Sequence, residues 1–196
     1  MLTILKPGGR AAVIVPDNCL FADQAGSVFR ILTQVADLHT VLRLPNGTFA
    51  PYSAGSKTNV VFLTHGRPTE TVWVYDARTN VAHVTKRDRP LTEAHLAAFE
   101  RCFGADPRGR SRRSADDSAE GRWRSFSIAE VAARDFKIDS LKWLKEDSLH
   151  ADPREPEELA AEAITELEGA AEELAAVLEL LSGGILPRGP RALEGA

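Results

Sequence analysis

The feature that most constrains this chain is a long polar segment between two short apolar runs. The apolar runs, residues 41–44 and 60–63, are typical of buried strands. The residues between them are rich in Pro, Gly, Ser and Asn and fit neither a helix nor a strand. Because ordinary hairpin turns have about two to five residues, a loop of this length indicates a function beyond reversing the chain.

The elements before this loop alternate as in an α/β sheet. Residues 2–5 resemble the end of a helix, which indicates that the chain is the later part of a larger domain. A continuous apolar run over 10–16 predicts a strand covered on both faces. A strand over 39–44 should lie parallel to it, with a right-handed crossover. The crossover helix is predicted by apolar residues at helical spacing, which are Val28, Ile31, Leu32 and Val35.

The elements after the loop are predicted to be more varied. Because no helix intervenes, a strand over 59–64 should return antiparallel to the strand before it, and residues 72–75 should form a further strand or an edge. Thr92 is placed to cap a short helix. The polar residues 104–124 predict a flexible surface connection, and a capping box over 127–130 predicts the start of another short helix.

Charge is unevenly distributed along the chain. The net charge of −4 gives no overall attraction to nucleic acid, but six arginines cluster between residues 108 and 124. That cluster either binds the DNA backbone or belongs to a disordered, Arg-rich linker, and the acidic residues within it favour the linker. In contrast, residues 155–181 contain nine Glu and no Lys or Arg.

Cysteine, histidine and hydropathy patterns exclude several classes of protein. Cys19 and Cys102 are too few for a disulfide framework or a structural zinc site, which favours a cytoplasmic protein. The five His residues are scattered without ligand spacing, so no metal site is predicted. No apolar run approaches the ~20 residues of a membrane span, so no membrane association is predicted.

A long helix is predicted over residues 151–184, followed by a disordered tail over 185–196. Small and apolar residues in this helix alternate at spacings of four and three, which is typical of a coiled-coil seam. A seam of about 22 residues spans ~33 Å, and its acidic flanks favour a partner helix over DNA. The seam consists of Ala160, Ile164, Leu167, Ala171, Leu174, Leu178 and Leu181.

Three segments of the sequence carry a resemblance to a known family. LKPGGRAAVIVPD, DLHTVLRLPNGTFAPYSAGSKTNVVFL and VWVYDART resemble the later half of the methyltransferase domain in the modification (M) subunit of type I restriction-modification systems. For residues 1–80, the resemblance implies the later half of a class I (Rossmann-like) methyltransferase sheet that ends in an antiparallel strand. Residues 81–150 would hold short helices and the Arg-rich connection, and 151–184 an α-helical extension for subunit assembly. Its partner would be a helix of the specificity subunit, with self-association of the M subunit as the alternative.

The resemblance also implies an activity and partners. Members of this family methylate adenine in double-stranded DNA with S-adenosylmethionine and assemble with a specificity (S) subunit and a restriction (R) subunit. The family's Gly-rich donor-binding loop and Asn-Pro-Pro-Phe/Tyr motif are absent from this sequence. We therefore expect a C-terminal fragment that binds no cofactor and is inactive alone. The alternative is a free-standing, non-catalytic interaction module that binds partner helices and nucleic acid.

Four residues around the polar loop are candidates for contact with DNA. Base-modifying enzymes stack a flipped base on an aromatic or apolar wall, and the resemblance places Phe49 or Tyr52 in that role, with packing against the sheet as the alternative. Lys57 and Asn59 are candidates for phosphate or base contacts; otherwise they are a solvated Lys and an Asn that fixes the turn. Asp17 follows the first strand, where open sheets bind ligands, although turn formation explains it equally well.

Overall fold

The computed structural model describes residues 2–22, 24–49, 55–118 and 120–145 and, near the C-terminus, Ile164, Ala171, Leu174, Ala175 and Leu178. The chain divides into two compact units, Met1–Asp152 and Pro153–Ala196. The first unit contains the sheet. In the second unit the five described residues are helical.

The described residues of the first unit form five strands and four α-helices. The strands are β1 (Arg10–Pro16), β2 (Ala36–Arg43), β3 (Thr58–His65), β4 (Thr71–Asp76) and β5 (Trp123–Ser127). The α-helices are α1 (Asn18–Phe21), α2 (Ala25–Val35), α3 (Ala97–Phe103) and α4 (Ile128–Ala132). Single 3₁₀ turns occur at Leu2–Ile4, Glu93–His95, Ala115–Asp117 and Ile138–Ser140. Below, the long loop means residues 44–57, which connect β2 to β3.

The strands form one mixed sheet with the order β1-β3-β2-β4-β5. β3 pairs antiparallel with both β1 and β2, which confirms the predicted return after the long loop. β1 and β2 therefore run in the same direction, as predicted, but they are not neighbours. β4 pairs parallel with β2, and β5 pairs antiparallel with β4. Because β1, β2 and β4 share a direction, their last residues meet at one edge of the sheet, which we call the carboxyl edge.

Helices cover both faces of the sheet, as expected for an α/β fold. On one face, α1, α2 and α4 contribute to a core with β2 to β5; its members include Leu20, Phe29, Leu38 and Val131. On the other face, α3 packs Phe99 and Cys102 against an aromatic core that includes Tyr75 and Trp123. The two cores hold the carboxyl edge of the sheet in a fixed shape.

β1 differs from the fully covered strand that its apolar sequence predicted. Along β1, exposed and half-buried residues alternate, and Ile14 is 55% exposed. Among the described strands β1 has a single neighbour, β3, so one of its sides is an unpaired edge. An apolar run by itself does not reveal how many neighbours a strand has, which explains the difference.

Helix α2 has a different buried side from the one its apolar residues suggested. Val28, Ile31 and Val35 are 59%, 62% and 41% exposed, whereas Ala25, Gly26, Phe29 and Thr33 are buried. Gly26 decides the orientation, because a Cβ atom at this position would collide with the backbone carbonyl of Asp135. Gly26 thus allows a close approach to the segment after α4, and Phe29 packs into the core while Val28, Ile31 and Val35 face outward.

The Arg-rich segment differs from the flexible connection that its composition predicted. β5 begins within it, and the fully buried Trp123 stacks on Trp73 with ring centroids 5.0 Å apart. The Arg113 guanidinium lies over Phe103 and Trp123, at 4.8 and 5.5 Å from their ring centres, and donates to the carbonyl of Phe103. Composition counts arginine as polar, but its planar group can stack on aromatic rings and become part of a core.

His39 makes the stability of this fold dependent on pH. Its side chain is buried in β2 against Gly109, and burial together with the nearby Arg113 lowers the pKa of His39 to about 4. The folded state therefore holds a neutral imidazole, whereas the unfolded chain takes up a proton below about pH 6.5. We expect the contribution of His39 to the free energy of unfolding to be fully present above pH 6.5. The free energy of unfolding should be about 2–3 kcal/mol lower at pH 4.5.

Urea unfolding at pH 7.5 and pH 4.5 measures this dependence. The His39→Gln variant is expected to lose most of the difference between the two pH values, although it is less stable at pH 7.5. The pKa of Asp17 is lowered from 3.8, so its contribution is lost only at still lower pH. A wild-type chain that is equally stable at both pH values would contradict the buried neutral histidine.

Candidate functional site

A network of buried polar side chains lies at the carboxyl edge, beneath the long loop. Asn59, Asp76, Arg43 and Arg78 are 0%, 1%, 7% and 8% exposed, and the side chain of Asp17 is 19% exposed. They come from the ends of β1, β2 and β4 and from the start of β3. Buried charges are rare in proteins unless they are paired, so this concentration marks the edge as a specialised part of the fold.

Arg78 connects the two ends of the long loop. Its Nε donates to the carbonyl of Leu44 at 3.1 Å, and its Nη2 donates to the carbonyl of Thr58 at 2.6 Å. Nη1 donates to the Asp17 carboxylate at 2.7 Å. One guanidinium thus bridges residues that follow β2, begin β3 and follow β1. Hydrogen bonds from a charged donor are roughly twice as strong as neutral ones, so the contacts fix the base of the loop.

Asp17 supplies the negative charge that balances Arg78. Burial alone would raise the pKa of this carboxyl, but hydrogen bonds from Arg78 and from Asn59 Nδ2, the latter at 2.7 Å, outweigh burial and lower the pKa. Asp17 is therefore an anion at neutral pH. Its backbone N–H also donates to the carbonyl of Lys57 at 2.8 Å, which ties the end of β1 to the end of the long loop.

A second buried ion pair, between Arg43 and Asp76, lies next to Arg78. Arg43 Nη1 and Asp76 Oδ2 are 3.4 Å apart. Burial lowers the pKa of Arg43, and the Asp76 charge opposes this effect. The Asp76 carboxylate also accepts the backbone N–H groups of Arg78 and Thr79 at 2.9 and 2.8 Å and the Thr79 hydroxyl at 2.8 Å. Asp76 therefore shapes the turn that places Arg78 under the loop.

The first half of the long loop is a tight turn that packs against the chain after β4. The Thr48 hydroxyl donates to the carbonyl of Pro45 at 2.7 Å, and the backbone N–H of Val84 donates to the carbonyl of Asn46 at 2.8 Å. Gly47 has φ of +79°, and a Cβ atom there would collide with the Val84 carbonyl. Glycine is the residue that meets both requirements.

A cavity of about 380 Å³ lies beside the start of this loop. It combines an aromatic ring from β4 with charged side chains from the turn before β5. Its lining residues are Pro45, Tyr75, Ala77, Asn80, Val81, Ala82, His95, Glu120 and Arg122. Arg122 is held in place by its donations to the carbonyls of Asp76 and Thr79, at 3.1 and 2.7 Å.

Within the part of the chain that the structure describes, no group of three or more His, Cys, Asp or Glu side chains is arranged to hold a metal ion. In the same part of the chain, no helix has the length and hydropathy needed to cross a membrane.

Comparison with known proteins places this architecture in a family. Residues 1–151 match the family model described as N-6 DNA Methylase. This match covers the whole sheet, the long loop and the polar network beneath it. The chain belongs to the N-6 DNA methylase family. The residues of the carboxyl edge thus lie within the region that the family model matches.

Among relatives of this methylase chain are methylase subunits of type I restriction enzymes. It is 43% identical over 220 residues to the StySJI methylase subunit of Salmonella typhimurium, and 43% identical over 217 residues to the EcoKI methylase subunit of Escherichia coli. The matches cover 94% and 92% of this chain but 41% and 40% of those relatives. The chain therefore spans about two fifths of the length of the relatives that it matches.

Solved structures of M proteins show the same fold as this methylase chain. The crystal structure of the EcoKI M protein matches with a TM-score of 0.66 and 39% identity, over 95% of this chain and 44% of that one. A modification subunit of a putative type I restriction enzyme from Vibrio vulnificus matches with a TM-score of 0.52 and 27% identity, over 65% of this chain and 25% of that one. The resemblance to M subunits is therefore confirmed.

The structure separates the four candidate residues of this methylase chain. Phe49 is half-buried and packs against the core that contains Leu42 and Tyr75. Tyr52 lies outside the described residues. The Lys57 side chain is exposed, whereas Asn59 is fully buried and bonded to Asp17. Asn59 thus supports the loop base, and its buried amide does not reach a surface that DNA could contact.

Sequence reasoning missed Arg43, Asp76 and Arg78. These charged residues lie at the ends of two apolar strands, and that placement could have identified them. A charged residue at the end of a strand is usually interpreted as solvated. The contacts that distinguish these residues join positions far apart in sequence, such as Arg78 and Asp17.

Proposed function

We propose that this chain supplies the long loop and the closing strands of an adenine-specific DNA methylase subunit. The observation that carries the proposal is the long loop itself, tied at both ends by Arg78 at the carboxyl edge of a sheet that the N-6 DNA methylase family model matches. Ligands bind at this edge in open α/β sheets. A fixed base allows a loop of this length to present residues to a substrate without collapsing onto the sheet.

In this proposal the long loop receives the target adenine. A base inside a duplex is inaccessible to a methylase, so it must be rotated out of the stack and held in a pocket. Phe49 and Tyr52 are the aromatic side chains of the loop that can stack on it, and the exposed Lys57 can pair with the DNA backbone. Because Phe49 is half-buried against the core, we assign the main stacking contact with the base to Tyr52.

The methyl donor in this proposal is S-adenosylmethionine. Methyl transfer to the exocyclic amine of adenine requires the donor's sulfonium and acceptors for the amine hydrogens to be positioned together. The relatives are more than twice as long as this chain, and we assign donor binding and the amine acceptors to parts of the subunit outside these 196 residues. The isolated chain is accordingly expected to transfer no methyl group.

We also propose that the acidic C-terminal helix docks on a helix of the specificity subunit, in a cytoplasmic complex that further includes the restriction subunit and double-stranded DNA. Of the seven seam residues, Ile164, Leu174 and Leu178 are helical and 56%, 65% and 62% exposed, and Ala171 is also helical and exposed. Ala160, Leu167 and Leu181 lie outside the described residues. Apolar side chains that repeat along one side of a helix are suited to a partner helix.

Kinetics of the assembled methylase that contains this chain test the role of the loop. In the Tyr52→Ala variant kcat for adenine methylation is expected to fall by about 5- to 150-fold, since stacking of a base on an aromatic ring contributes about 1–3 kcal/mol. The Kd for duplex DNA should change by less than about threefold, because backbone contacts dominate affinity. Phe49→Ala should act in the same direction with a smaller effect.

Ile31→Ala is the control for these variants, because it truncates an exposed apolar side chain on α2, outside the loop. It should leave both kcat and Kd unchanged. If a double variant of Phe49 and Tyr52 methylated DNA at the wild-type rate, the loop would not receive the base.

A further inference from the structure

We propose that Arg78 is a positioning residue that holds the long loop in register with the end of β1. The importance of Arg78 for methylation rests on the proposed function of the loop. Its role in restraining the loop ends rests on the geometry of the chain alone. Arg78 follows β4, and its side chain crosses the carboxyl edge to reach β1 on the far side of β2 and β3. A single side chain therefore connects four consecutive strands of the sheet.

The contacts of Arg78 show how it restrains the loop. It donates to the carbonyl of Leu44, where the loop leaves β2, and to the carbonyl of Thr58, where β3 begins. Both acceptors are backbone atoms, so Arg78 fixes the course of the chain itself. The third contact, with the Asp17 carboxylate, fixes the position of both loop ends relative to the end of β1. Nη2 also lies 3.5 Å from Oδ1 of Asn59.

The chemistry of the side chain explains why an arginine is needed here. Its planar group presents donors in fixed and diverging directions, which matches three acceptors at the ends of three different strands. A lysine ammonium at the same place is a point charge on a flexible stem and cannot reach all three acceptors at once. The Arg78 side chain is 8% exposed, so water does not readily replace the contacts that a substitution removes.

Hydrogen exchange of the 196-residue chain, followed by mass spectrometry, tests the restraint. The amides of Asp17 and Leu44 donate to the carbonyls of Lys57 and Thr58, so they report on the loop ends. In Arg78→Ala their exchange is expected to be at least about tenfold faster than in wild type, because local opening becomes easier. Arg78→Lys should give an intermediate increase. Amides that pair β4 with β5 should be unaffected.

Two further variants separate loop positioning from general destabilisation. Arg67→Ala removes an ion pair to Asp37, at the beginning of β2, and should leave exchange at the loop ends unchanged. Asp17→Asn keeps the shape of the third acceptor but removes its charge, and should accelerate exchange at the loop ends alone, which provides the test if Arg78→Ala fails to fold. Unchanged exchange at the loop ends, or equal acceleration throughout the sheet, would overturn the positioning role.

A kinetic measurement distinguishes this inference from the function on which it rests. In the assembled methylase, Arg78→Lys should lower kcat several-fold while KM for DNA stays nearly constant, because the misplaced loop affects the reacting base more than backbone binding. If exchange at the loop ends increases while kcat remains at the wild-type value, Arg78 restrains the loop as inferred, but the proposed role of the loop in methylation is contradicted.

Discussion

Asp76→Ala is expected to lower the free energy of unfolding by about 3–5 kcal/mol, since removing one partner of a buried ion pair leaves an uncompensated charge. The charge left behind is Arg43, which is 7% exposed. The variant also removes the acceptor of the Thr79 hydroxyl and of two backbone N–H groups in the turn after β4. Urea unfolding followed by tryptophan fluorescence measures the change, because Trp73 and Trp123 lie in β4 and β5.

Arg67→Ala is the matched control for this measurement. It also removes one member of an Arg–Asp pair and leaves the carboxylate of Asp37, which is 7% exposed, but the Arg67 side chain is 49% exposed, so its truncation opens that carboxylate to water. We expect a cost of about 1–2 kcal/mol, smaller than that of Asp76→Ala, because water can hydrate the carboxylate that is left. Equal and small effects of the two substitutions would show that the polar network at the carboxyl edge contributes little to the stability of the fold.

Leu174→Glu is expected to weaken binding of the complete methylase subunit to the specificity subunit by at least about a hundredfold. The reason is that a carboxylate in the middle of an apolar seam must be buried without a partner when the helices dock. Leu174 is helical and 65% exposed, so the free chain should tolerate the substitution. Titration of the specificity subunit into the methylase subunit measures the affinity.

Ala175→Glu is the matched control, since it adds the same charge at the next position of the same helix. Ala175 is likewise helical and exposed but lies about 100° around the helix from Leu174, outside the seam. We expect it to leave the affinity within about threefold of wild type. If Leu174→Glu binds as tightly as Ala175→Glu, the seam does not contact the specificity subunit.

The direction of β3 could be predicted from local sequence. Two apolar runs without a helix between them require an antiparallel return, and this return is present as β3. The position of β1 as an edge strand could not be predicted, because its apolar residues are compatible with any number of neighbours. β5 was missed for a related reason. It contains two aromatic residues among polar ones, and its burial depends on the aromatic side chains of β4 and α3.

The candidate site was only partly predictable. The long loop was identifiable from its length and composition, and the capping box at Ser127 and Glu130 from its spacing; both are present. Asn59 was singled out either as a DNA contact or as an Asn that fixes the turn, and its burial depends on Asp17 and Arg78, which meet it through folding. Arg78 shows the general limit: its role consists of contacts with residues 19 to 61 positions away.

Photochemical cross-linking tests the central claim, that the long loop receives the target base. The assembled methylase is irradiated on duplex DNA that carries 5-iodouracil in place of the target adenine, a mismatch that also favours rotation of the base out of the duplex. Mass spectrometry then locates the cross-linked peptide. The account predicts a cross-link within residues 44–57. A cross-link confined to another part of the chain, such as residues 104–112 in the first half of the Arg-rich segment, would contradict it.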